Sequence, residues 1–273
     1  MEAQWSLVLF TVISGAGAWL FATSMAGVIA KRGALPTKME SIVAIVLLAV
    51  GGVASVTHLK HVDRIFEALN HPTSGIFVEA AMIGILIVLI AVYLIMLVRG
   101  SKEGGLKAVG AVAAVIAIVF TFACGSSYMM EARQAWMTVA LPFSYAATAA
   151  AAGAGVNLLL KSLAAVDDKS LSFAGLLEVV LSAVAIVCCA AFFVYASGWF
   201  ADAKSGAALW IAVTFVALAS SLGCGVWAWK KPASAKTAGV VALVAGVIAA
   251  IAMRVAMWLV GTPVLDFFLM SLD

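Results

Sequence analysis

The sequence predicts an all-α, polytopic integral membrane bundle of eight transmembrane helices with both termini on the outer, periplasmic side. Three observations carry that expectation. Hydrophobic residues make up 65% of the chain and charged residues 11%, against about 25% charged in an ordinary soluble domain. The apolar residues gather into eight nearly charge-free stretches, near 5–30, 40–59, 76–98, 106–128, 138–160, 171–196, 207–229 and 237–261, and a bilayer core of about 30 Å needs about twenty apolar residues per helical crossing. The loop basic residues are unevenly divided. Lys31, Arg32, Lys38, Arg99, Lys102, Lys107, Lys161, Lys169, Lys230, Lys231 and Lys236 fall on the side away from the N-terminus, and only Lys60, Arg64, Arg133 and Lys204 on the N-terminal side. The richer side is cytoplasmic. The net charge of +3 is mostly this topology signal and points to no nucleic acid.

The first segment has no basic run before it and no small-residue cleavage site after it, so a retained helix is expected and not a signal peptide. The second contains Gly51 and Gly52, which let backbones approach in lipid, and ends at His58. Beyond it Val62, Ile65, Phe66 and Leu69 recur at the spacing of one helical face, while Lys60, Asp63, Arg64 and Glu67 fall elsewhere. That is the pattern of a short amphipathic helix on the outer surface, ended by Asn70 and His71-Pro72. Glu79 lies about one turn into the third segment. The fifth carries the small-residue run Ala149 to Gly155, a packing surface, and Asn157, which with Tyr93 of the third reads as an interhelical hydrogen-bond donor.

Glu178 in the sixth segment lies toward the inner end, with only Lys161 and Lys169 of the adjacent loop as basic neighbours, and reads as structural. Arg254 lies about two turns below the outer end of the eighth. Cys124, Cys188, Cys189 and Cys224 all fall within helices, without metal-ligand spacing, and read as packing residues. The five prolines lie in loops or near helix ends, which counts against a transporter built on broken helices. Trp136, Trp199 and Trp258 near the outer interface read as an aromatic belt. The loops are too short for a soluble domain, so residues 1–273 are expected to form one membrane domain.

Ionisable groups within a membrane are costly unless paired or wet. His58, Glu79 and Arg254 stand at matching outer depth on three helices and are candidates for one polar pocket; the structural alternative for His58 is a helix-end residue bonded to a carbonyl. A b-type haem between helices usually needs two histidines on opposite faces of the ring. His58 and His61 are neighbours and His71 is in a loop, so neither a haem nor another metal site is expected.

His58-Leu59, Arg64 six residues after the histidine, Leu69-Asn70, and then Ser74 and Glu79 opening the next helix form a string that resembles the membrane anchor subunits of dimethyl sulfoxide reductases. The eight-helix topology resembles that family as well, and the likeness extends to Trp136, Pro142 and Arg254. Where the family carries an acid one turn before the last-helix arginine, this chain has Ala250. The resemblance implies an anchor in the bacterial inner membrane, serving anaerobic respiration. Such an anchor holds a four-cluster ferredoxin-like iron–sulfur subunit and a molybdopterin catalytic subunit, and oxidises menaquinol to supply their electrons.

Quinol oxidation releases two protons and two electrons, so the site needs a base at the ring hydroxyl and a wet exit. Histidine titrates near the working pH, which makes His58 the expected base. Glu79 is the expected relay outward, and Arg254 holds that carboxylate ionised or orients the other quinol oxygen; Arg64 completes the expected quinol-binding set. With no haem to carry electrons, they pass directly to a cluster docked outside, and Lys60, Asp63, Arg64 and Glu67 are the expected docking residues. Other readings remain open: a haem-free anchor of the polysulfide reductase type, a structural anchor with an inert pocket, and a small-molecule transporter. A transporter should carry polar groups at both leaflets, whereas the candidates cluster at one side.

Overall fold

The computed structural model describes residues 3–57, 74–164 and 166–261. Among them the protein is helical, without a strand, and eight helices are long and apolar enough to cross a membrane. They are α1 (Trp5–Ile29), α2 (Lys38–Val56), α3 (Gly75–Val98), α4 (Glu103–Ser126), α5 (Ala140–Leu163), α6 (Asp168–Ala196), α7 (Ala207–Lys230) and α8 (Ala235–Val260). Their order and number are those expected from the hydropathy pattern. The ends differ by up to three residues, and at the starts of α2 and α6 polar caps extend the helix past its apolar stretch. Thr37 Oγ1 accepts the Glu40 amide at 3.2 Å and Glu40 Oε2 accepts the Thr37 amide at 2.7 Å, a capping box that starts α2 at Lys38. Asp167 accepts the Ser170 amide at 2.7 Å and starts α6 at Asp168.

The helices alternate in direction, so the starts of α1, α3, α5 and α7 share one end of the bundle with the finishes of α2, α4, α6 and α8. This is the Trp5 end; the other is the Ile29 end. The small-residue run in α5 does what its composition predicts. A Cβ at Gly153 would stand 2.5 Å from Trp19 Cβ of α1, and one at Gly155 would stand 2.7 Å from the Leu243 backbone nitrogen of α8. Such contact is how helices associate in lipid, where apolar area alone gives no preference for protein over solvent. α5 therefore sits at the centre, with 83% of its most apolar stretch buried, and α1 follows at 72%; α3, at 17%, is a peripheral helix.

Polar groups are not confined to the Trp5 end, which corrects one expectation. Toward the Ile29 end, Lys161 Nζ of α5 pairs with Glu40 Oε1 of α2 at 3.1 Å, both buried, and Ser24 of α1 donates to Glu40 at 2.9 Å. Ser24 Oγ also lies 3.2 Å from the Asn157 side-chain amide, which brings α5 into the same polar cluster. Tyr93 donates to the Pro36 carbonyl at 3.1 Å, a bond to the α1–α2 loop and not to another helix. Glu178 is fully buried; its Oε1 accepts from Ser182 at 3.0 Å and from Ser221 at 2.6 Å, partners that are hydroxyls and not the lysines of the adjacent loop.

Candidate functional site

A cavity of about 450 Å³ opens at the Trp5 end, within the range of small-molecule sites. Its wall is assembled from Gln4 and Leu7 of α1, Ser55 of α2, the first turn of α3, Ser127 and Tyr128 at the finish of α4, Arg133 and Trp136 of the α4–α5 connector, and Trp258 of α8. Five helix ends thus converge on it.

Glu79 supplies the carboxyl. Ser74 caps α3 by accepting the Phe77 amide at 3.2 Å, which fixes where the helix begins. Gly75 and Glu79 are four residues apart and share a helix face. A Cβ at Gly75 would stand 2.9 Å from Ser127 Oγ, so the missing side chain lets that face close onto the end of α4. Ser127 then stands within reach of the Glu79 carboxyl, while its hydroxyl donates to the Ala123 carbonyl at 3.1 Å. One hydroxyl has one proton. With Glu79 protonated, the carboxyl donates to Ser127 and Ser127 donates to Ala123. With Glu79 ionised, the Ser127 proton must turn toward the carboxylate. The pair can therefore take up and release a proton with the rotation of one hydroxyl.

The opposite wall is aromatic. Trp136 is fully buried and Trp258 is 6% exposed, so neither is a lipid-interface residue, contrary to the aromatic-belt expectation; Trp199 is partly buried. The connector folds back because its polar groups find partners inside. The Trp136 indole donates to the Met257 carbonyl at 2.9 Å, and Arg133 donates to the Gly261 carbonyl. Trp136 and Trp258 meet edge to face, centroids 5.1 Å apart, and Tyr128 stands 6.1 Å from each. The Arg133 guanidinium covers Trp136 at 4.4 Å and Trp258 at 5.5 Å, a cation–π cap, and burial lowers its pKa from the ordinary arginine value. The indole nitrogen of Trp258 is buried without a hydrogen-bond partner.

Of the residues singled out from sequence, Glu79 is brought into the cavity wall. Arg254 is not. It lies 1% exposed beneath the wall, in contact with Thr11, Tyr145 and Thr148, and no ion pair joins it to Glu79 among the described residues. His58, Lys60, Asp63, Arg64 and Glu67 lie outside the described residues, as do His61 and His71. Among the described residues no group of three or more histidine, cysteine, aspartate or glutamate side chains could hold a metal ion. Ser127, Tyr128, Arg133, Trp136 and Trp258 were not foreseen as parts of one site. The sole legible signal was the pair Ser127-Tyr128, which stands at the same outer depth as Glu79 once the helices are drawn antiparallel.

Fold and site together define a polytopic helical membrane protein with a polar, aromatic-walled cavity at one end. Residues 1–198 match the DMSO reductase anchor subunit (DmsC) family, and the chain belongs to that family. Membership makes it the multi-pass membrane anchor of a DMSO reductase-type complex, with catalytic and iron–sulfur subunits as partners. No curated protein matches the chain. The matched residues include α1 to α6 and Glu79; Trp258 and Arg254 come from α8, beyond them.

Proposed function

We propose that the chain oxidises menaquinol at the Trp5 end and passes the electrons to an iron–sulfur subunit docked on that end. The cavity with Glu79 against Ser127 is the observation that carries this reading: a ring-sized space holds a group able to take up and release a proton, close beneath the surface. In this reading the Trp5 end faces the periplasm of a bacterial inner membrane, which the basic-residue asymmetry of the loops supports. The whole chain acts as one membrane domain.

His58, six residues before the polar loop's Arg64, takes the first proton from the quinol hydroxyl. Glu79 receives it next, and the Ser127 hydroxyl turns as the carboxyl changes state. The cavity opens at the bundle's end, so the proton leaves to the same side. Tyr128, Trp136 and Trp258 form an apolar wall for the ring, and Arg64 orients it. Electrons leave singly to the partner's nearest cluster, and molybdopterin chemistry takes place on the catalytic subunit.

Replacing His58 with Phe tests the reading. Quinol-dependent reduction of the terminal acceptor should fall at least a hundredfold, the low end of what a general base contributes. Assembly, and activity with a dye that reduces the catalytic subunit directly, should persist. Glu79→Gln should give a milder loss whose size changes with pH, since a relay is slowed and the first acceptor is intact. Turnover by His58→Phe within a few-fold of the parent would move the base to Glu79.

A further inference from the structure

Arg254 is a large charged side chain sealed inside the bundle, and every group it touches is neutral. Its Nε donates to Thr11 Oγ1 at 2.7 Å. One terminal nitrogen donates to Thr148 Oγ1 at 3.2 Å and to the Ala250 carbonyl at 2.9 Å, and the other reaches the Tyr145 carbonyl at 3.5 Å. The two threonine hydroxyls have protons committed elsewhere, Thr11 to the Leu7 carbonyl at 3.1 Å and Thr148 to the Ser144 carbonyl at 2.7 Å, so their lone pairs face the guanidinium. Arginine is not deprotonated in proteins. Dipoles from α1, α5 and α8 thus solvate a full positive charge, and no carboxylate among the described residues cancels it.

The charge has a line of contact to the cavity. Arg254 lies over the Tyr145 ring at 4.2 Å, Tyr145 packs at a tilt of 33° against Tyr128, centroids 5.3 Å apart, and Tyr128 lines the cavity. The two steps place the guanidinium within about 10 Å of the Tyr128 ring, below the wall and out of contact with anything bound there. Buried charges are ordinarily paired, and an unpaired one at membrane depth is costly to keep.

We infer that Arg254 is an electrostatic positioning residue, which stabilises an anion in the cavity without touching it. The inference rests on the quinol reading. When a quinol O–H bond breaks, the proton goes to the base and the electron pair stays on the ring oxygen. The oxygen's new negative charge then faces Arg254 across Tyr128 and Tyr145. A unit charge about 10 Å away, at an effective dielectric of about 20, favours ionisation about tenfold, or one pH unit. Among the described residues, the other titratable or charged groups facing the cavity or Arg254 are Glu79 on α3, Cys124 and Tyr128 on α4, Arg133 on the connector, Tyr145 on α5 and Cys189 on α6; His58 and Arg64 join them in the proposed quinol reading. All of them stay in place in the variants below.

The test uses a naphthoquinone bearing one ring hydroxyl that ionises in the working range, bound to the assembled complex and followed by the visible absorbance of its anion as pH is varied. Unsubstituted naphthoquinone, which carries no such proton, is the control ligand. Arg254→Gln removes the charge, and Thr11→Asp keeps Arg254 but sets a carboxylate where Thr11 Oγ1 meets Nε. Both should raise the pH at which the bound probe ionises by about one unit and leave affinity for the control unchanged. Arg254→Lys, which keeps the charge, should stay near the parent.

Should Arg254→Gln fail to assemble, Thr11→Asp decides alone. An unchanged ionisation pH in Thr11→Asp overturns the inference and leaves Arg254 as a staple of α1, α5 and α8. Equal loss of both ligands in Arg254→Lys overturns it as well, because direct contact would then be the role. If neither ligand binds the parent, the quinol reading falls first and this inference with it.

Discussion

Trp136 shows how far a single side chain can depart from its sequence context. It lies in a short connector beside a membrane boundary, where indole rings favour the headgroup layer, yet it is fully buried. Its N–H bond to Met257 holds it there, and so does the Gly261 backbone, where a Cβ would stand 2.2 Å from the indole nitrogen. Trp136→Phe should keep most of the packing and lose one hydrogen bond, costing about 1 kcal/mol. Trp136→Ala should cost about 3 kcal/mol or more, read as a fall in thermal stability in detergent. Equal stability of the Ala variant and the parent would return the residue to the lipid interface. Of the partners that bury Trp136, Met257, Trp258 and Gly261 lie more than a hundred residues away, and no local pattern announces them. Glu79 was legible for the opposite reason. A carboxyl one turn inside an apolar helix is conspicuous by itself, and its cost demands a pocket.

Helices follow the same division between local and distant causes. All eight were legible because length and apolarity are local properties that the bilayer reads directly. The centrality of α5 was legible too, since Ala149 to Gly155 suits only close backbone contact. Helix starts were set by caps that apolar content does not register: Thr37 with Glu40, and Asp167 with Ser170. The Asp167 cap gives a prediction at this scale. Its carboxyl, held below the ordinary value of 3.8 chiefly by the Ser170 amide, is exposed at the membrane surface. A folded-state value lowered in this way contributes stability above the ordinary carboxylate range, lost as pH falls through the lowered value. The advantage of the parent over Asp167→Asn should therefore be constant from neutral pH down to about pH 5, then shrink on further acidification. Thermal unfolding across that range measures it. A difference independent of pH down to the most acid point would mean that the carboxylate charge contributes nothing to the cap. Glu40 has a second consequence that the capping pattern alone does not reveal. The same carboxyl that caps α2 is buried against Lys161 of α5, so one residue sets a helix start and joins two helices.

At the scale of the whole molecule, the cavity, the α4–α5 connector and the described chain ends lie at one end of the bundle, the end proposed to be periplasmic from the charge asymmetry of the loops. The proposed haem-free route needs the acceptor cluster to approach the cavity from the same end. The α4–α5 connector there is held through Arg133 to Gly261 and at its surface through Gln134, whose carbonyl accepts the Tyr195 hydroxyl at 3.2 Å. Ser55 and Ser74, which line the cavity, flank in sequence the segment that carries Lys60, Asp63, Arg64 and Glu67, the proposed docking residues. Photocrosslinkers placed at Asp63 or Glu67 should capture the iron–sulfur subunit in membranes, and those at Lys102 or Lys231, on the Ile29 end, should capture neither partner. Capture only from Lys102 and Lys231 would put the partner against the end of the bundle that holds the Glu40–Lys161 pair. Quinol oxidised at the Glu79 cavity would then have no short path to its acceptor, and both the orientation and the electron route would have to be reversed together.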